Sequence, residues 1–127
     1  MNKFLVDDKG VLLLVVFGLP PLLHAGIKVL LYQGHMDLRD GVAATEAWLP
    51  SLSAAWPPMG DFIASNRTVW RIPGDTAGAV AGYVKTHANL TQVVVVGAGH
   101  IVPMDQPTRA QQMACGFVAG ELAGRKL

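Results

Sequence analysis

The sequence predicts an α/β fold, an incomplete mixed or parallel sheet with flanking helices. Three observations point to it. Two short apolar runs, Val29-Leu30-Leu31-Tyr32 and Val93-Val94-Val95-Val96, lack polar alternation, as strands buried on both faces do. Each runs straight into a turn, Gln33-Gly34-His35-Met36-Asp37 after the first and Gly97-Ala98-Gly99-His100 after the second. Near the C-terminus, Ala110, Met113, Ala114, Phe117, Val118 and Leu122 form the stripe of a helix packed on a sheet.

The elements come in order along the chain. Residues 28–32 read as a central parallel strand, and residues 33–36 as a loop. Asp40-Gly41 opens a helix through Val42, Ala43, Ala44, Ala47 and Trp48, with Asp40 as its N-cap. Pro50 ends or kinks that helix. Residues 51–61, with Trp56-Pro57-Pro58, form a loop, and residues 62–66 a helical turn. Val69-Trp70-Arg71-Ile72 reads as a short strand and Pro73-Gly74-Asp75 as a turn. Residues 80–85, with Gly82 inside, form a strand. His87-Ala88-Asn89 turns the chain into residues 90–96, the strongest strand in the sequence. Gln106-Pro107 opens the last helix, with proline at a tolerated first-turn position.

Composition bounds the rest. A chain of 127 residues is one domain at most. It is 51% hydrophobic and 15% charged, with a net charge of +1, and has no Lys/Arg cluster, so nothing in its electrostatics favours nucleic acid. Cys115, the single cysteine, has no internal disulfide partner. It falls on the apolar helical stripe and reads as an inert buried thiol. Residues 1–27 form an apolar leader set apart from residues 28–127. Its run Val11–Phe17 is too short to span a bilayer, which takes ~20 apolar residues. It has the form of a signal-peptide core ahead of His24-Ala25-Gly26, but Asp7 and Asp8 cancel Lys3 and Lys9 in front of it.

Two residues stand where chemistry is displayed. A histidine on a Gly-rich turn at a strand end is presented, as the base of an α/β-hydrolase is. His100 is so placed, and Gly97 and Gly99 permit the tight turn. Asp37, on the turn after the first strand, is the candidate carboxylate to orient it, with Asp40 as rival. Hydrolases of this fold run Ser, then Asp, then His along the chain. The second and third members appear here in that order. Ser51, Ser53 and Ser65 are the serines, and none stands in Gly-x-Ser-x-Gly. His35 with Asp37 supplies two metal ligands and no third at useful spacing, so no metal is expected. Asn66-Arg67-Thr68 and Asn89-Leu90-Thr91 are glycosylation sequons, with Asn89, at a turn, the better candidate.

Residues 28 to about 119 resemble the C-terminal part of the serine carboxypeptidases, most closely the plant serine carboxypeptidase-like proteins. The matching segments are Val29 to Val42, Thr45-Glu46-Ala47-Trp48, Val80 to Lys85, Asn89-Leu90-Thr91 and Gly97-Ala98-Gly99-His100-Ile101-Val102-Pro103-Met104-Asp105-Gln106-Pro107. The resemblance implies an α/β-hydrolase fold and release of C-terminal residues through an acyl-enzyme. His100 would be the base, Asp37 the acid, and Ile101 would line the pocket for the leaving residue. It implies no cofactor, a peptide substrate in the complete enzyme, and a secreted or vacuolar setting. Many relatives carry Asp or Asn where His35 stands. Without a nucleophile the isolated chain is expected to be inactive, unless a companion chain carries the serine. Two other readings share these residues. One is an acyltransferase fragment of the same family, and the other is a non-catalytic fragment that pairs through an exposed sheet edge.

Overall fold

The computed structural model describes residues 18–127; the signal-peptide-like run Val11–Phe17 lies outside them. Residues 18–24 are helical (α1). Then come β1 (Val29–Gly34), α2 (Val42–Trp48), a 3-10 turn (Leu49–Leu52), α3 (Met59–Ala64), β2 (Thr68–Arg71), β3 (Val80–His87) and β4 (Leu90–Val95). Next are α4 (Val102–Asp105), α5 (Pro107–Ala119), β5 (Glu121–Leu122) and β6 (Arg125–Lys126).

The main sheet has the order β1-β4-β3-β2. β1 runs parallel to β4, whereas β4–β3 and β3–β2 are antiparallel pairs. The sheet is therefore mixed, one of the two arrangements the sequence allowed. β4 is its centre, and all six of its residues are buried. The residues of β4 alternate between two cores. On one face Val93 and Val95 pack with Trp70, Val84, Met113 and Leu122. On the other, Leu90 packs with Leu23, Leu52, Trp56, Met59 and Phe62. Gly82 is in β3 because a Cβ there would meet the Val94 carbonyl and come within 3.1 Å of the Trp70 ring. The indole, paired across the strands with Gly82, fills the space that the missing side chain leaves.

Four expectations change. β1 is not central but forms an edge of the described sheet, and Tyr32 on it is 45% exposed. An apolar run marks a strand without telling how many neighbours it has. Residues 18–27 are not separate from the rest of the domain: Leu19 and Leu23 are buried in the second core. The Asn89 side chain also donates to the Leu23 and Ile27 carbonyls, at 2.9 and 2.7 Å. α2 is capped by Gly41 with no side-chain hydrogen bond, so Asp40 is not its N-cap. The stripe on α5 is shifted. Met113 is buried and Ala110 and Phe117 are half-buried, but Ala114 and Cys115 are exposed and Val118 is 85% exposed. Gly120 ends the helix in the left-handed conformation (φ 80°), so Leu122 reaches the core from β5 instead. Gly116 has no side chain to hold β5 away, and the hairpin closes on that side of the helix.

Candidate active site

Two loops leave the same end of neighbouring parallel strands and meet. The turn after β1 is tied to the loop after β4 by backbone bonds, His35 N–H to the Val95 carbonyl and Met36 N–H to the Ala98 carbonyl, both 2.9 Å. Gly34 makes this possible. It is buried, and a Cβ there would overlap the carbonyls of Ala98 and Gly99. With no side chain at 34, the loop carrying His100 lies directly on the turn carrying Asp37.

The Asp37 side chain is 7% exposed, and both its oxygens are occupied. Oδ1 accepts from the Arg39 and Asp40 N–H groups at 2.9 and 3.1 Å, a local turn that fixes the carboxylate. Oδ2 lies 2.9 Å from His100 Nδ1. This contact assigns the neutral ring as the Nδ1–H tautomer, with Nε2 as the basic nitrogen. The hydrogen bond from His100 holds the Asp37 carboxyl below its ordinary range, helped by the two backbone donors and opposed by burial. The His100 side chain is 56% exposed. Asp40 Oδ2 stands farther from the same ring nitrogen, at 3.8 Å, and 3.6 Å from Arg39 Nε. Between the two candidate carboxylates, Asp37 makes the hydrogen bond.

The histidine loop is also held from below. Asp105 Oδ2 accepts from the Gly99 N–H at 2.7 Å. Gln106 Nε2 donates to the Gly97 carbonyl at 3.1 Å, and the Arg109 guanidinium donates to the Val96 carbonyl. Gly97 is left-handed (φ 76°), a conformation that side chains resist. These three contacts were not legible in the sequence. They depend on the chain reversing through α4, which no spacing rule encodes.

The other candidates lie around this centre. Ile101 is exposed beside His100, and Met36, Leu38 and Met104 are exposed on the same loops. His35 lines a separate cleft of about 370 Å³ with Glu46, Arg67 and Tyr83. Among the described residues, no group of three or more His, Cys, Asp or Glu side chains is placed to hold a metal ion. Asn66 is exposed, whereas Asn89 is half-buried with its amide nitrogen engaged twice. That nitrogen is the one a glycan would attach to, and at Asn89 it is already bonded to two carbonyls.

Asp37 and His100 thus meet at the ends of two parallel strands of an α/β sheet. The serine carboxypeptidase family model matches residues 14–120, and the chain belongs to that family. The match begins inside the segment that the sequence had set apart. Serine carboxypeptidase-like 50 of Arabidopsis thaliana is 46% identical over 94 residues, covering 74% of this chain and 20% of its own length. The probable serine carboxypeptidase CPVL of Dictyostelium discoideum is 40% identical over 101 residues, covering 80% and 20%. Serine carboxypeptidase 3 of Oryza sativa subsp. japonica is 38% identical over 105 residues, covering 83% and 20%. The chain thus spans about one fifth of the length of these relatives. The fold matches the crystal structure of Kex1(delta)p, a prohormone-processing carboxypeptidase from Saccharomyces cerevisiae, with a TM-score of 0.62. The identity there is 23%, over 82% of this chain and 22% of that one.

Proposed function

We propose that this chain supplies the acid and base of a serine carboxypeptidase centre, with the nucleophilic serine contributed from outside its residues. The observation that carries this is the 2.9 Å contact between His100 Nδ1 and Asp37 Oδ2 at the strand ends. In the reaction, His100 Nε2 takes the proton of an incoming serine hydroxyl as it attacks a C-terminal peptide bond. The imidazolium then returns the proton to the leaving amine, and in a second cycle water cleaves the acyl–serine ester, releasing the shortened peptide and restoring the serine hydroxyl. Asp37 keeps Nε2 as the base and stabilises the imidazolium while it exists. An already ionised carboxylate suits that role, and its depressed pKa keeps it ionised.

The chain's own serines do not serve as nucleophile in this reading. Ser51 Oγ donates to the Trp48 carbonyl at 2.6 Å, and Ser65 Oγ to the Phe62 carbonyl at 2.7 Å. Ser53 caps the 3-10 turn. The isolated chain is therefore inactive, and its substrate peptide is met only in the assembled centre. Ile101 lines the pocket for the departing residue, and its apolar side chain favours apolar ones. The setting is the secretory pathway, where Asn66 is the sequon open to modification.

The test is purification of the chain from native tissue with its companions, followed by labelling with a fluorophosphonate, which reacts with activated serines. A labelled serine within the recovered complex, lost when His100 is replaced, supports the reading. A complex with no label contradicts it.

A further inference from the structure

The placement of His100 depends on a group outside the pair itself. His100 is exposed, its backbone sits on a Gly-rich loop, and its ring has one hydrogen bond among the described residues, to Asp37. One bond leaves the ring free to swing about it unless the backbone is fixed. The backbone atom next to His100 that is tied down by a side chain is the Gly99 N–H, and Asp105 holds it at 2.7 Å. This is a charge-assisted bond, short and about twice as strong as a neutral one. The carboxylate is presented by α4, whose single turn is closed by Met104, Asp105 and Gln106 N–H groups donating to the Ile101 and Val102 carbonyls. The turn begins at Ile101, directly after His100, so the segment that leaves the histidine returns to grip the residue before it. Gly99 gives the carboxylate room: a Cβ there would stand 3.2 Å from Oδ2.

We infer that Asp105 is a positioning residue, which acts through Gly99 to hold the His100 ring with Nδ1 on Asp37 and Nε2 as the base. The inference rests on the proposed pairing of His100 with Asp37. Gln106 and Arg109 brace the same loop two and three residues farther back, at Gly97 and Val96, and serve its fold more than the ring. Asp105 neither touches substrate nor moves a proton.

The experiment uses the 127-residue chain with 15N-labelled histidine, and the ring nitrogen shifts of His100 report its tautomer. The wild-type ring is Nδ1–H. In D37N the amide oxygen stays on the Arg39 and Asp40 N–H groups and the NH2 faces the ring, so a donor replaces the acceptor and the ring shifts toward Nε2–H. D105A does the same without touching Asp37, lowering the Nδ1–H to Nε2–H ratio about tenfold, the scale of one charge-assisted hydrogen bond. D105N restores the wild-type tautomer, since its amide oxygen still accepts from Gly99. Q106A loosens the loop yet leaves the tautomer unchanged. Should D105A fail to fold, D105E decides: it keeps the charge but displaces the carboxylate, and an unchanged tautomer overturns the inference. An unchanged D105A overturns it too, as does a Q106A shift as large as that of D105A. A wild-type ring in the free-histidine mixture, or one indifferent to D37N, overturns the reading of Asp37 and His100 instead.

Discussion

Gly34→Ala tests how the fold makes the site. The position has no positive φ, so alanine suffers no backbone penalty there, and the cost is purely steric. The added Cβ would overlap the carbonyls of Ala98 and Gly99, which belong to a loop already bonded to its neighbours. Backbone atoms cannot rotate away as a side chain can. Overpacking costs typically 1–3 kcal/mol, and this case belongs at the upper end, about 3 kcal/mol. For a domain of this size, that lowers the melting temperature by roughly 10 °C. The same shift parts the two loops and breaks the His100–Asp37 hydrogen bond. Gly60→Ala is the control. Gly60 lies inside α3, and a Cβ there meets nothing within 4 Å. Its replacement stabilises by roughly 0.5–1 kcal/mol through helix propensity. Urea melts give both energies, and His100 ring nitrogen shifts give the state of the pair. A G34A chain within about 0.5 kcal/mol of wild type, with the Nδ1–H tautomer intact, would refute the packing argument.

Two further outcomes are expected. Asp37 has a folded pKa below its ordinary value of 3.8, so its contribution to stability is full above that pH and is lost as pH falls through the folded value. The stability gap between wild type and D37N therefore narrows below about pH 4, and urea midpoints at about pH 6 and about pH 3 check it. Asn89→Ala removes two hydrogen bonds that join the β3–β4 turn to the end of α1 and the segment after it, and costs about 1–3 kcal/mol. Asn66→Ala, at an exposed position, stays within about 0.5 kcal/mol in the same melts.

What the sequence makes legible is what local chemistry decides. Val93 to Val95 form part of a strand because β-branched residues favour one, and the glycines beyond Val96 announce a turn that displays His100. The order of Asp37 before His100 likewise needs only the chain to be read. What escaped depends on contacts between distant segments. Tyr32 has strand chemistry whether or not another strand lies beyond it. Asp40 precedes a helix start as a cap would, but its carboxylate turns toward Arg39 and His100 instead. Cys115 lies within an apolar stripe, yet the closure of β5 against Gly116 decides which side of α5 is covered. Asp105 stood in plain view within the histidine motif. Only the folded turn of α4 shows its carboxylate on the Gly99 N–H.

On the proposed reading, Asp37 and His100 complete a centre whose serine lies elsewhere. The decisive measurement co-expresses this chain with a family carboxypeptidase that lacks its own corresponding last fifth, and records release of C-terminal residues from a peptide. Activity is expected with the wild-type chain, none with either part alone, and a loss of roughly 10⁴- to 10⁶-fold with His100→Ala. Hydrolysis by the assembled pair that is unchanged by His100→Ala would contradict that role for His100.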